Sequence, residues 1–144
     1  MARNKPIDFP VLLVECDTTG VTRDDPIIHI MCVLVEKGQD GNAHPAAVYT
    51  GYQEVARPSS QEAFKAHGIP DERLKGESLD VEQIRGLIAQ ADSIVSRIPR
   101  FNAKKLHALV PECLEKRWFP YPEQDSELAL GAFPGRGSHG DHVW

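Results

Sequence analysis

The chain has 144 residues, of which 41% are hydrophobic and 26% charged, and its formal net charge is −5. That length fits one domain with its own apolar core, and the near-average composition excludes a wholly disordered or a fibrous chain. The negative net charge gives no overall attraction to nucleic acid, and no apolar run reaches the roughly 18 residues that cross a bilayer, so we expect a cytoplasmic domain without a membrane partner.

Three strands joined by short turns are predicted first. The continuous apolar run 11–14 is typical of a strand buried on both faces, and it ends at Glu15. Residues 27–35 are rich in β-branched side chains and long enough to pair with it, and a turn follows at 38–41. A third strand is predicted over 46–55. The short connections favour an antiparallel meander.

Helices are predicted in the middle of the chain. Ser59 stands three residues before Glu62, the spacing of a capping box, and Gly68 predicts the end of this short helix. Asp80 begins a second box of the same form. The apolar residues after it lie at helical spacing, which predicts an amphipathic helix ending near Asp92.

The last elements complete the expected fold class. Residues 93–96 are predicted to form a short strand which, because it follows a helix, should lie parallel to the first strand. A helix is predicted over 103–110, stopped by Pro111. From 119 onward proline and glycine are frequent without hydrophobic periodicity, which predicts a domain over 1–118 and a partly ordered tail over 119–144. The whole is an α/β or α+β domain, a mixed sheet flanked by helices.

Two carboxylates carry the first indication of chemistry. Glu15 and Asp17 occupy alternate positions at the end of the first strand, so their side chains should project from the same face. Adjacent carboxylates repel each other unless a cation lies between them, and hard oxygen ligands favour Mg²⁺ or Mn²⁺ over Zn²⁺. The residues alone leave open a solvated strand end followed by a turn at Thr18, Thr19 and Gly20.

A basic segment carries the second indication. Residues 97–117 have a net charge of +4, which leaves −9 for the rest of the chain. Within this segment Arg97, Arg100, Lys104 and Lys105 are candidates for contacts with a nucleic-acid backbone. A solvated basic face is the alternative interpretation.

Several motifs together, in order along residues 9–119, resemble the DEDD superfamily of 3′-5′ exonucleases, the group of the proofreading epsilon subunit of DNA polymerase III. The matching segments are Glu15-Cys16-Asp17-Thr18-Thr19-Gly20, Asp25-Pro26-Ile27-Ile28-His29-Ile30, Ala66-His67-Gly68-Ile69-Pro70-Asp71-Glu72, Ala91-Asp92-Ser93-Ile94-Val95 and Phe101-Asn102. The resemblance implies a ribonuclease H-like fold. It also implies four acidic residues that hold two metal ions for phosphodiester hydrolysis, with a histidine as general base.

The resemblance also assigns residues around the acids. Thr18, Thr19 and His67 are expected beside the nucleic-acid strand, with His67 as an architectural residue of the cleft. His29 stands in an apolar strand where the family often has an acid. We interpret His29 as a hydrogen-bonded strand histidine and not as a metal ligand.

The chain departs from the family pattern at the metal-binding positions. The family's first motif reads Asp-x-Glu-Thr-Thr-Gly, whereas Glu15 here matches the Asp and Asp17 matches the Glu. The metal-binding Asp of the second motif is matched by Asn102, whose amide oxygen brings no negative charge. The third motif, His followed five residues later by Asp, is not visible. The candidate catalytic set is therefore Glu15, Asp17 and Asn102, and the candidate metal ligands are Glu15 and Asp17.

These departures predict a degenerate exonuclease-like domain, inactive or impaired, that binds a nucleic acid 3′ end or a protein partner through the former active-site cleft. Its implied cofactor is Mg²⁺ or Mn²⁺, or none. One alternative is an active exonuclease whose missing acid comes from another subunit of a homo-oligomer, from Asp92 or from Asp125. A second alternative is an acidic protein-interaction or regulatory module.

Overall fold

A mixed five-stranded sheet is the framework of the structure, a computed structural model that describes residues 7–121. The strands are β1 (Val11–Thr18), β2 (Ile27–Lys37), β3 (Ala43–Tyr52), β4 (Ser93–Ser96) and β5 (Arg117–Pro120). The helices are α1 (Gln61–His67), α2 (Asp71–Leu74), α3 (Val81–Gln90) and α4 (Pro99–His107), followed by a 3₁₀ helix, Pro111–Glu115. Within 7–121 no helix is long and apolar enough to span a bilayer.

The strand order is β3-β2-β1-β4-β5. β1 pairs antiparallel with β2, and β2 pairs antiparallel with β3, while β4 lies parallel to β1 and β5 parallel to β4. The predicted meander, the parallel fourth strand and the mixed sheet are thus confirmed. The carboxyl ends of three parallel strands, at Thr18, Ser96 and Pro120, meet at one side of the sheet, which we call the carboxyl edge.

The core lies on both faces of β1, as its continuous apolar run predicted. Leu12 and Val14 pack in one buried cluster with residues of α3 and with Leu106 of α4. Val11 and Leu13 pack in a second cluster, on the opposite face, with residues of β2, β4 and β5. Alternation along the strand therefore fills both sides of the sheet before the polar residues at its end.

Three elements differ from the prediction at their start. β3 begins at Ala43, whereas the sequence predicted 46. α4 begins at Pro99, whereas the sequence predicted 103, because proline is well suited to the first turn of a helix. The cap of α1 is Ser60, whose hydroxyl accepts a hydrogen bond from the Ala63 N–H at 3.1 Å, so the predicted box at Ser59 was wrong by one residue. The cap of α3 at Asp80 is confirmed.

The last described residues form a strand across the predicted boundary between domain and tail. β5, which the sequence did not predict, contains Phe119 and Pro120, and Phe119 is buried in the second cluster. Residues 122–144, including Asp125, lie outside the described residues. The boundary between a domain over 1–118 and a tail over 119–144 stays a prediction.

Candidate functional site

The carboxylates of Glu15 and Asp17 lie near the carboxyl end of β1, at the carboxyl edge of the sheet. Glu15 is opposite Met31 of β2, and Asp17 is opposite His29. Their alternate positions place them on the same face, as the sequence indicated. Each carboxylate nevertheless has its own protein partners.

Glu15 is 1% exposed and joins β1 to the start of α4. Its Oε2 accepts a hydrogen bond from the Arg97 N–H at 2.9 Å, and its Oε1 accepts one from Asn102 Nδ2 at 3.3 Å. The Asn102 amide, also 1% exposed, donates to Ser96 Oγ as well. The structure therefore brings Glu15 and Asn102 together, but with the amide nitrogen facing the carboxylate.

Asp17 pairs with a histidine of the neighbouring strand. Its Oδ2 lies 2.8 Å from His29 Nδ1, and His29 Nε2 lies 3.0 Å from Thr50 Oγ1. The His29 ring stacks on Tyr52 at 4.5 Å, and the Arg73 guanidinium lies 3.8 Å from the Tyr52 ring centre. The interpretation of His29 as a hydrogen-bonded strand histidine is confirmed.

These contacts decide how well the donor set fits a pair of metal ions. The Glu15 oxygens face N–H donors and Asp17 Oδ2 faces an imidazole, so hydrogen bonds from the protein satisfy the charges that a cation would otherwise neutralise. Across 7–121 no group of three or more His, Cys, Asp or Glu side chains is placed to hold a metal. The described side chains therefore do not fit the two-metal centre that the resemblance implies, and the Mg²⁺ or Mn²⁺ prediction is not confirmed.

Asp92, one predicted source of the missing acid, lies at the wrong side of the sheet. It directly precedes β4, whose first residue, Ser93, pairs with Val11 at the amino end of β1. Glu15 and Asp17 lie toward the carboxyl end of β1. Asp92 is therefore separated from them by the paired length of β1 and β4. Asp92 of the same chain does not complete the site.

Asp25, which begins one of the segments that match the family but was given no role, organises the loop after β1. Its Oδ1 accepts hydrogen bonds from Thr19 Oγ1 at 2.8 Å and Arg57 Nε at 2.7 Å. Its Oδ2 accepts from the N–H and the hydroxyl of Thr22, at 2.9 and 2.7 Å. The hydroxyl bond from Thr22, followed by that from Thr19, holds the pKa of Asp25 far below its usual value, against the opposing effect of burial. The signal in the sequence was the threonine three residues before the aspartate.

Lys105 ties this loop to α4. Its buried ammonium donates to the carbonyl oxygen of Thr22 at 2.6 Å and to that of Asp25. Burial lowers the pKa of Lys105, while the nearby charges of Asp25 and Asp24 oppose this shift. Lys105 thus fixes the loop at residues 19–25 against the helix that carries Asn102.

Gly20 is required by the close approach of this loop to Asp25. A Cβ atom at Gly20 would lie 2.4 Å from Asp25 Oδ2 and 2.8 Å from its Cγ. We expect Gly20→Ala to lower the free energy of unfolding by about 1–3 kcal/mol, measured by urea denaturation, because Asp25 cannot yield without losing its hydrogen bonds. The matched control is Gly86→Ala in α3, where a Cβ has no neighbour within 4 Å and should stabilise the helix by about 0.5–1 kcal/mol. An unchanged urea midpoint for Gly20→Ala would contradict the crowding.

A cavity of about 470 Å³ lies beside Asp17, between the end of β1, α1 and the start of α4, and we call it the cleft. Thr18 lines it, but the hydroxyl of Thr18 donates to the Gly20 carbonyl at 2.6 Å, and that of Thr19 donates to Asp25. Thr18 therefore lines the wall of the cleft with its hydroxyl already hydrogen-bonded, whereas Thr19 is buried and does not line it.

His67 lines the cleft from α1, as expected for an architectural residue. Its Nδ1 accepts a hydrogen bond from the Ile69 N–H at 2.9 Å, and its Nε2 lies 3.2 Å from Ser59 Oγ. Burial lowers the pKa of His67, although the charge of Asp17 opposes this. In the neutral ring the proton is therefore on Nε2, so His67 donates to Ser59 and does not activate its hydroxyl as a base.

A second cavity, of about 680 Å³, adjoins the cleft, and the two share Val21, Thr22, Ile98 and Phe101. We call it the basic groove, because its lining side chains include those of Arg100 and Lys104. Lys105 also lines it, with its ammonium bound to carbonyl oxygens, whereas Arg97 does not line it and places its N–H on Glu15. The four predicted basic residues are thus divided between the groove and the interior contacts of the site.

Comparisons with known proteins give a fold and no close relative: no family model and no curated protein matches this chain. Among solved structures, the complex of exonuclease I with SSB-Ct aligns with a TM-score of 0.61 at 12% identity. The zinc-bound form of E. coli exonuclease I with single-stranded DNA gives the same values, and exonuclease I from Methylocaldum szegediense gives 0.57 at 14%.

These alignments cover 76% of this chain and 27–28% of the matched chains, so the chain spans little more than a quarter of their length. At such identity the likeness shows the fold alone. The mixed sheet, with its parallel and antiparallel strands, is that of the ribonuclease H-like exonucleases. The resemblance to the DEDD 3′-5′ exonucleases is therefore confirmed as a likeness of fold.

Proposed function

We propose that this chain is a degenerate exonuclease-like domain that binds the 3′ end of a single-stranded nucleic acid in the cleft and hydrolyses it poorly or not at all. The observation that carries the proposal is the contact of Asn102 Nδ2 with Glu15 Oε1 at 3.3 Å. In the family pattern an acid stands at the position of Asn102. Here Asn102 supplies a hydrogen-bond donor to Glu15 in place of a second carboxylate, so no cation is needed to offset repulsion between two acids.

Poor hydrolysis follows from the charges at the site. Two-metal catalysis of phosphodiester cleavage depends on anionic ligands that hold both ions close to the reacting phosphate. Of the described residues that match the family's metal-binding positions, Glu15 and Asp17 alone are acidic, and both accept hydrogen bonds from or pair with protein groups. Among the described residues, His67 beside the cleft is not placed to act as a base, since it holds its proton on the nitrogen that faces Ser59.

Binding is supported by the surface beside the cleft. Arg100 and Lys104 are exposed along the basic groove, which shares four lining residues with the cleft. Such side chains contact phosphates, and the partly exposed ring of Phe101, shared by both cavities, offers a surface on which a base can stack. The cytoplasmic location and any homo-oligomeric assembly stay predictions.

Hydrolysis is tested with 5′-labelled single-stranded DNA and RNA in the presence of Mn²⁺ or Mg²⁺. We expect no 3′ trimming by the full chain above the rate of its Asp17→Ala variant. Trimming that requires Asp17 and is stopped by a chelator would overturn the impaired-catalysis part and establish the active exonuclease. That outcome would not contradict the other part of the proposal, that the cleft binds a nucleic acid 3′ end.

Binding is tested by fluorescence anisotropy with the same oligonucleotides across a salt series. The double variant Arg100→Glu, Lys104→Glu should bind more weakly, and the slope of log K against log salt should become shallower by about 1.4, or 0.7 for each lost phosphate contact. The control Lys65→Glu, Lys75→Glu makes the same charge change at exposed positions outside the groove. Equal effects of the two double variants, or no binding by the parent chain, would refute a nucleic-acid cleft and favour the protein-interaction module.

A further inference from the structure

Strand β3 lies at one end of the sheet, next to β2. Its ten residues pair with β2 on one side, and no strand of the described chain pairs with its other edge. An open strand edge presents backbone N–H and carbonyl groups to which a further strand can bond. The outer edge of β3 is therefore a candidate interaction surface, and no residue of β3 lines the cleft or the basic groove.

The register of β3 with β2 shows which of its backbone groups face outward. The N–H of Gln53 donates to the carbonyl oxygen of Ile28 at 2.9 Å, and the register is unbroken over residues 47–52. Because alternate residues of an antiparallel pair bond to the same neighbour, the odd-numbered residues of this stretch bond to β2. The N–H and carbonyl groups that point away from the sheet therefore belong to Val48, Thr50 and Tyr52.

The outer edge of β3 lacks the features that usually prevent strands from pairing. Natural sheet edges are protected by charged side chains, by proline or by bulges. In β3 this protection is limited to the start, where Pro45 has no N–H and the register with β2 shifts. Residues 46–52 contain no charged side chain and no proline. Val48, 52% exposed, is one of five large apolar side chains of residues 7–121 that are exposed.

We propose that two copies of this chain pair through the outer edges of their β3 strands, antiparallel, about a two-fold axis beside Tyr49. This register places Val48 of one copy opposite Thr50 of the other, and by symmetry Thr50 opposite Val48. The outward N–H and carbonyl groups of these residues then bond to each other. Their β-branched side chains lie side by side across the interface. Two five-stranded sheets thus become one continuous sheet.

The charge of the chain favours a second copy over a charged peptide as the occupant of this edge. Each copy has a net charge of −5, so an interface between copies is favourable only where like charges do not meet. Residues 45–52 carry no charge, which satisfies that condition and also leaves nothing to select an acidic or a basic peptide. This inference does not rest on the proposed function, because the cleft and the basic groove stay open in the dimer.

Size-exclusion chromatography with light scattering, on the full chain over a concentration series, tests the proposal. We expect a reversible dimer. Val48→Pro removes an N–H that the sheet of one copy does not use, so the domain should fold. The dimer should lose a hydrogen bond on each side of the axis, and its dissociation constant should rise about 10- to 100-fold. The control Val48→Thr keeps the N–H and the β-branched shape, and it should change that constant by less than about threefold.

Val48→Lys is the second variant, and it decides the question if urea denaturation shows that Val48→Pro does not fold. It leaves the backbone unchanged and places a charge on each copy at the interface, so it should also weaken the dimer. A monomer at every concentration tested would overturn the proposal. A dimer that both variants leave unchanged would overturn it as well, because the copies would then meet through another surface. A dimer lost equally in Val48→Thr would show that the side chain, and not the strand edge, holds the copies together.

Discussion

Replacing Asp25 by asparagine is expected to lower the free energy of unfolding by about 2–3 kcal/mol at neutral pH, because four hydrogen bonds converge on its buried carboxylate and one donor is charged. An amide cannot accept all four, since each carboxylate oxygen accepts two of them and the amide nitrogen would face two donors. Urea denaturation measures the loss. The control is Asp24→Asn, at an exposed neighbour, which should change stability by less than about 0.5 kcal/mol.

The pH dependence of this difference gives a second measurement. The pKa of Asp25 is lowered in the folded state, so its stabilising contribution is complete above the unfolded-state value of about 3.9. That contribution is lost as the pH falls below this value toward the lower folded-state pKa. The gap in stability between the parent chain and Asp25→Asn should therefore narrow as the pH is lowered from about 4 to 2. A gap that stays constant over this range would show that the carboxylate is not stabilised as the anion.

The loop held by Asp25 also separates the two cavities. Val21 and Thr22 line both the cleft and the basic groove, and Thr22 is fixed by Asp25 and by Lys105 of α4. The loop after β1 is therefore tied by hydrogen bonds to α4. A change at Asp25 should alter both surfaces, although neither its carboxylate nor the Lys105 ammonium needs to contact a ligand.

The sequence was sufficient for most of the sheet and insufficient for its last strand. The apolar run of β1 is buried on both faces of the sheet, and β2 pairs with β1 over many residues. Both strands therefore have long apolar patterns that the sequence shows clearly. β5 has only four residues, Arg117–Pro120, and alternates for too short a distance to be distinguished from the segment that follows. Its pairing with β4 depends on a long-range contact that no local pattern reports.

The sequence predicted which residues belong to the site, but it did not predict the contacts that these residues make. Glu15, Asp17 and Asn102 were identified because they match family positions, and the structure places Glu15 against Asn102. The donors that engage the acids come from a backbone N–H of Arg97 and from His29, 82 and 12 residues away. Such pairings depend on strand register and on the course of the chain after β4. For that reason the sequence predicted a cation between the carboxylates of Glu15 and Asp17, whereas in the structure each carboxylate is engaged by protein groups.

Asn102→Asp tests how far the site has departed from a metal centre. The new carboxylate would face Glu15 at a position that is 1% exposed, so repulsion should lower the free energy of unfolding by about 2–4 kcal/mol in EDTA. Mn²⁺ between the two anions should reverse this, by about 2.7 kcal/mol at a concentration 100 times its Kd. Thermal unfolding in EDTA and in MnCl₂ measures both effects, and the parent chain should respond little to the metal.

The double variant Glu15→Gln, Asn102→Asp is the control for this result. It carries one negative charge at the same place, so the loss in EDTA should be smaller and the response to Mn²⁺ should disappear. A parent chain that Mn²⁺ stabilises as strongly as it stabilises Asn102→Asp would contradict the argument. It would mean that the Asn102 amide turns its oxygen toward Glu15 when a cation is present, and that the hydrogen bond between them yields readily to metal.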